Sequence, residues 1–194
     1  FGFFLKKKIV EPLGMNDTDF WVPAEKQDRL AKVYDCREGQ PSVRYLDNNL
    51  GIQNDMAYRP AYEAGGAGLA STIDDYAKFT QMLLNGGTYN GVQILRPATV
   101  KFLGGHTLSA IQQAGFDNWI GLEGFSYGNL MRVLVDPTRA VTLGSKGEFG
   151  WDGWLGCYME VVPEQNMTFL MMTQKKDAGT YTLSRKIRNI IFSE

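Results

Sequence analysis

Apolar residues change their spacing along the 194-residue chain. From Ile73 to Leu84 they recur every three or four positions, so that Ile73, Tyr76, Ala77, Leu83 and Leu84, with Thr80 among them, share one helical face. Ser71-Thr72-Ile73-Asp74-Asp75 carries two overlapping capping patterns, Ser71 with Asp74 and Thr72 with Asp75, which place acidic charge at the start of that helix. Asn85-Gly86-Gly87 ends it, because left-handed C-caps favour Asn and Gly. A helix is also expected over residues 3 to 10, stopped by Pro12-Leu13-Gly14, and a short one from Pro97 to Gly104-Gly105. Between Thr18 and Tyr62 the chain is polar and irregular, punctuated by Pro23, Pro41 and Pro60.

The last third reads differently. Leu130 to Val135, Leu155 to Val162 and Met167 to Thr173 are apolar, branched or aromatic runs of strand length. Asp136-Pro137-Thr138 and Pro163-Glu164-Gln165-Asn166 supply turns, the second predicting a hairpin. Leu183, Ile187, Ile190 and Ile191 then form one helical stripe, expected to pack on a sheet face. Helices followed by consecutive antiparallel strands and a covering helix indicate an α+β fold. The expected division is a helical and irregular region over 1–104 and an antiparallel sheet portion with its C-terminal helix over 105–194, both parts of one larger domain.

Composition narrows the function. Hydrophobic residues make up 44% and charged residues 21%, enough apolar material for a core. A formal net charge of -1 gives no reason to expect a nucleic-acid partner, and Lys6-Lys7-Lys8 reads as a solvated helix face. No apolar run approaches the ~20 residues of a membrane span. One histidine and no Cys-x-x-Cys argue against a metal site, and no cofactor is expected. Cys36 and Cys157 read as isolated thiols, although two cysteines also permit one disulfide. Phe1-Gly2-Phe3-Phe4-Leu5 comes before its lysines, the reverse of a signal peptide, and reads like an element entered midway.

Gly124-Phe125-Ser126-Tyr127-Gly128 spells Gly-x-Ser-x-Gly, the nucleophile elbow of α/β-hydrolases. That elbow needs a strand before it, a helix after it and a later histidine. Here the serine is followed by a strand-like run, and His106 comes earlier, in a Gly-Gly-His segment expected at the surface. A loop leading into a strand is the better reading.

Four blocks in one order carry a more specific signal. They are Ile9-Val10-Glu11-Pro12-Leu13-Gly14-Met15-Asn16-Asp17-Thr18; Ala64-Gly65-Gly66-Ala67-Gly68-Leu69-Ala70-Ser71-Thr72 continuing to Asn85-Gly86-Gly87; Ile94-Leu95-Arg96-Pro97-Ala98-Thr99-Val100; and Phe149-Gly150-Trp151-Asp152-Gly153-Trp154-Leu155-Gly156. Together they resemble the C-terminal part of the serine β-lactamase-like hydrolases, the group of class C β-lactamases, DD-peptidases and related esterases. Tyr127-Gly128-Asn129 also spells that family's Tyr-x-Asn signature, but it lies after the Gly-rich helix instead of before it, and is read as coincidence.

The resemblance implies that Trp151-Asp152-Gly153 stands where the family carries its Lys-Thr-Gly or His-x-Gly strand edge. Glycine there lets substrate approach the strand backbone. It further implies that the Trp154 N–H forms half of an oxyanion hole, the other half being the nucleophile's own N–H. Trp151 in place of lysine removes a cation that would recognise a β-lactam carboxylate, and favours an esterase-like or peptidase-like member. Core packing is the competing reading of Trp151 and Trp154. The family's nucleophile and base form Ser-x-x-Lys, and no serine in this chain is followed by lysine three residues later. The resemblance places that motif and Tyr-x-Asn upstream of Phe1, so this chain is expected to hold no catalytic nucleophile and to be inactive alone. Its partners would be a small-molecule ester, amide or peptidoglycan-like substrate, with self-association or pairing with the missing N-terminal part. A non-catalytic binding or assembly module with the same fold is the alternative.

Overall fold

A computed structural model gives the fold for residues 1–37, 39–48, 52–178 and 183–193. Helix α1 (Gly2–Leu5) runs directly into a π-wound segment, Lys6–Val10, in which the Glu11 N–H donates to the Lys6 carbonyl. The expected helix is therefore present, but its second half is wound more widely than an α-helix. Lys6, Lys7 and Lys8 stay exposed there while Val10, Leu13 and Met15 turn into the core. The polar stretch that follows holds a 3-10 helix, Ala24–Arg29, and a small antiparallel pair, β1 (Tyr34–Asp35) and β2 (Val43–Arg44).

Helix α2 (Ile73–Leu84) starts as its caps predict, with the Thr72 side chain accepting from the Asp75 N–H. Ser71 does something else: its hydroxyl meets that of Thr18 at 2.7 Å. The buried Asp75 carboxylate accepts from the Asp17 N–H at 2.7 Å, from the Thr18 hydroxyl at 3.1 Å and from Lys78 at 2.9 Å. Because Asp75 takes the inward position in the first turn, Ile73 is left half-exposed, contrary to its expected place on the core face. Thr80, Met82 and Leu83 form the buried side.

Further elements beyond those expected form here. A hairpin, β3 (Thr88–Tyr89) and β4 (Val92–Gln93), turns through Asn90 and Gly91. After α3 (Pro97–Gly105), helix α4 (Ala110–Phe116) begins at a capping box between Ser109 and Gln112.

The main sheet is an antiparallel meander of β5 (Phe125–Gly128), β6 (Met131–Leu134), β7 (Phe149–Asp152), β8 (Tyr158–Val162) and β9 (Met167–Met171), adjacent in that order. The predicted hairpin joins β8 to β9 through Pro163–Gln165 and a left-handed Asn166. One face of the sheet presents Val133, Phe149, Met159 and Val161 to Met82 and Leu83 of α2, and to Val10, Leu13, Met15 and Val100. Burial of this apolar surface is the main force holding α2 and the N-terminal segment against the sheet.

The opposite face buries charged groups among apolar ones: Arg132, Glu148, Tyr158 and Glu160 are all inaccessible, beside Phe125, Leu134 and Phe169. Helix α5 (Leu183–Ile191) lies there, and it corrects the expected stripe: Ser184 and Arg188 are its buried residues, while Leu183 is 53% and Ile190 64% exposed. The sheet offers α5 two carboxylates, Glu148 and Glu160, so the helix turns Arg188 inward and leaves Leu183 and Ile190 outward, with Ile187 and Ile191 half-buried.

The β5–β6 turn consists of Asn129 and Leu130, both at positive φ (44° and 72°), and Leu130 is 80% exposed. A leucine held left-handed without burial is strained. Leu130→Gly is therefore expected to stabilise the chain by about 1 kcal/mol in denaturant unfolding, since Asn-Gly is the favoured pair for such a turn. A loss of stability would mean that the leucine side chain packs usefully.

Candidate active site

Strand β7 ends at Asp152 and the chain turns tightly through Gly153–Gly156 before β8. The Gly153 N–H donates to the Cys157 carbonyl at 2.7 Å, and the Gly156 N–H to the Gly153 carbonyl at 2.8 Å. From outside, the Ala178 N–H donates to the Trp154 carbonyl at 3.2 Å and the Lys175 N–H to that of Leu155 at 3.0 Å. Among the described residues, the Trp154 N–H donates to no protein atom.

The side chains around this turn divide into two groups. Trp154 is half-buried and lies outside the apolar core; its indole N–H donates to Asp177 and its ring meets Tyr45 edge-on at 5.8 Å. Lys176 sits 5.3 Å from the Tyr45 ring, between the carboxylates of Asp35 and Asp177 at 3.6 and 3.5 Å. Trp151 faces other aromatics, with Tyr127 edge-on at 5.2 Å and Trp119 at 6.3 Å. Phe116 completes the group, 6.1 Å from Trp119 and 6.0 Å from Tyr127. Neither tryptophan of the expected site is thus a core residue.

Asp152 does not point into open solvent. It accepts from Arg132 at 2.7 Å, and Arg132, 1% exposed, places its guanidinium 4.6 Å from the Tyr158 ring and 5.9 Å from Trp151. Burial pushes the Asp152 carboxyl above its ordinary range, against the pull of Arg132, and burial likewise raises the Tyr158 phenol. The register explains the pairing: Arg132 stands opposite Gly150 and Tyr158 opposite Asp152, so all three side chains share one face.

The structure brings Trp151, Asp152, Gly153 and Trp154 together at one end of the sheet and adds residues that the sequence reading did not select. Tyr127 joins the site, though not as a Tyr-x-Asn element, and Trp119 and Phe116 come from α4 and the turn after it. The one available signal was the Ser109-x-x-Gln112 box that starts α4. Ser126 lies on β5 itself, not in a loop before it; it is 1% exposed and its hydroxyl accepts from the Leu108 N–H at 3.0 Å. A buried strand serine so engaged is not a nucleophile elbow. His106 is exposed and packs on Phe102 at 5.1 Å.

Both cysteines are free, and burial raises the Cys157 thiol. Among the described residues no three His, Cys, Asp or Glu side chains gather as a metal site, and no helix is long and apolar enough to cross a membrane.

Strand meander, α2 packed beneath it and a glycine turn ending the third strand match the β-lactamase-like fold. The Beta-lactamase family profile matches residues 1–190, and the chain belongs to that family of hydrolases. Protein Rv1367c of Mycobacterium tuberculosis is 32% identical over 177 residues, which is 88% of this chain and 42% of that protein. A lovastatin esterase of Penicillium rubens is 29% identical over 156 residues, covering 79% of this chain and 37% of the esterase. The solved structure of EstCE1, a hydrolase with promiscuous acyltransferase activity, superposes with a TM-score of 0.77 at 23% identity, over 98% of this chain and 50% of EstCE1. The chain therefore spans about two fifths of these curated relatives and half of that structure.

Proposed function

We propose that the chain forms the substrate-facing side of a serine hydrolase that acylates itself on an ester, amide or β-lactam carbonyl and then hydrolyses the acyl-enzyme. In this reading Ser-x-x-Lys and Tyr-x-Asn come from a segment outside residues 1–194, and the chain is inactive alone. The observation that carries it is the Trp154 N–H, unengaged among the described residues and held in a turn fixed from both sides. Aimed at a tetrahedral oxyanion, it would act with the nucleophile's own N–H, and such a donor is worth ~3 kcal/mol in the transition state. Gly153 leaves the approach to that N–H open.

Pairing with such a segment has physical support. In a five-stranded meander β5 and β9 are the outer strands, and α5 leaves Leu183 and Ile190 uncovered. Exposed edges and apolar stripes of this kind favour association.

The test is fluorophosphonate labelling of this chain, of the parent's upstream segment, and of the two mixed. Labelling of the upstream segment only in the mixture is the expected result. Trp154→Pro removes the N–H and should lower the labelling rate about 100-fold or more, whereas Trp154→Ala, which keeps it, should stay near the parent rate. Equal effects of the two variants would defeat the oxyanion role. Saturable ligand binding by the mixture without any labelling would favour the binding-module reading instead.

A further inference from the structure

Beside the turn, Trp119, Tyr127 and Trp151 form a continuous aromatic surface with ring centroids 5.2 and 6.3 Å apart along the series Tyr127–Trp151–Trp119. Trp119 is 57% exposed, as is its neighbour Ile120 at 75%. Exposed tryptophan and isoleucine next to a half-buried aromatic pair have an apolar cost in water that a ligand would relieve. Each nearby cation already has a partner. Arg132 is buried and paired with Asp152, Arg139 lies 3.7 Å from Asp117, Lys176 lies on the other side of the turn between two carboxylates, and the Arg185 guanidinium lies against Gly121 with its own partner. A substrate carboxylate placed against this surface would meet π faces and cations already committed to other groups.

We propose that Trp119, Tyr127 and Trp151 are the specificity surface of the site and take an uncharged, aryl-sized group of the substrate. The proposal rests on the hydrolase reading only for the direction in which the scissile carbonyl lies, over the Trp154 N–H. A neutral ester with a planar apolar group is preferred, and a substrate bearing a carboxylate at that position is disfavoured. Trp119 contributes the open wall, and Trp151 the floor against which the group stacks.

The experiment is a ligand-observed NMR titration of the chain with N-(2-naphthyl)butyramide, a stable stand-in for the ester, and with its 6-carboxy derivative. The neutral amide is expected to bind about tenfold more tightly than the carboxylate, a difference of ~1.4 kcal/mol. Trp119→Ala should weaken the neutral ligand by about tenfold and leave the carboxylate nearly unchanged, and Trp119→Phe should restore most of the loss. Trp151→Lys should reverse the preference between the two ligands. Equal affinities for both ligands, or a Trp119→Ala variant that binds like the parent, would overturn the proposal. Tight binding of the neutral amide in a chain that never restores labelling to the upstream segment would sustain this surface and reject the hydrolase reading. Restored labelling with no effect of Trp119→Ala would do the reverse.

Discussion

Arg188→Met is expected to destabilise the chain by about 3–5 kcal/mol, the usual result of removing one partner from a buried ionic cluster. Arg188 is 2% exposed and contacts Glu148 and Glu160, each wholly buried. It also donates to the Tyr158 hydroxyl at 3.1 Å and to the Leu143 carbonyl at 2.9 Å, and Tyr158 in turn donates to Glu160 at 2.7 Å. Without the guanidinium two carboxylates remain in a closed, low-dielectric layer with one phenol between them. Neutralising them as well, in an Arg188→Met/Glu148→Gln/Glu160→Gln variant, should recover most of the loss.

The defect should also depend on pH, with a definite sign. Burial already holds the Glu148 carboxyl above its ordinary value of 4.5, in spite of Arg188. A carboxyl raised in the folded state binds its proton more tightly there than when unfolded, so folding loses stability as pH climbs from the unfolded value through the folded one. Removing Arg188 raises the group further. The penalty in Arg188→Met should be greatest near neutrality and shrink as pH falls towards 4.5 and below. Urea titrations at several pH values check both claims, and a pH-independent penalty would point to lost packing instead.

Gly150→Ala should be nearly as damaging, on the order of 3 kcal/mol, because the added methyl has nowhere to go. A Cβ at Gly150 would lie 2.0 Å from the Met159 carbonyl oxygen and 2.9 Å from the Glu160 Cα, both main-chain atoms of β8. No rotamer change relieves a clash with backbone, so β7 and β8 must separate. The separation reaches the site, since the same hairpin carries Asp152 opposite Tyr158 and closes through Gly153. Loss of the protection of β7 and β8 amides in hydrogen exchange, with α2 little affected, is the expected pattern; uniform loss would mean global unfolding.

Much of this architecture was legible because its signals are local. The Thr72 cap, the Asn85-Gly86-Gly87 stop and the Pro163–Asn166 turn each act through neighbouring backbone, and each forms as expected. Two of the missed elements were local as well: Asn90-Gly91 is a strong hairpin signal and Ser109 with Gln112 a capping box, passed over because the runs beside them are short. The inverted burial of α5 was a different kind of miss. Periodicity ranks Ile190 above Arg188 for burial, and only the tertiary placement of Glu148 and Glu160 reverses that order. Resemblance singled out Trp151 to Trp154 as the candidate site. It could not reach Trp119, which meets Trp151 through a ring contact across more than thirty positions of chain that no sequence period encodes.

The turn at Gly153–Gly156 has a bearing on time as well as on shape. Its four backbone ties come from Cys157, Ala178, Lys175 and the turn itself, all present before any substrate arrives. The entropy of fixing the Trp154 N–H is thus lost once, during folding, and not again at each encounter. In the proposed role such a donor is already in place, and a carbonyl arriving over Gly153 would meet a turn tied before it came.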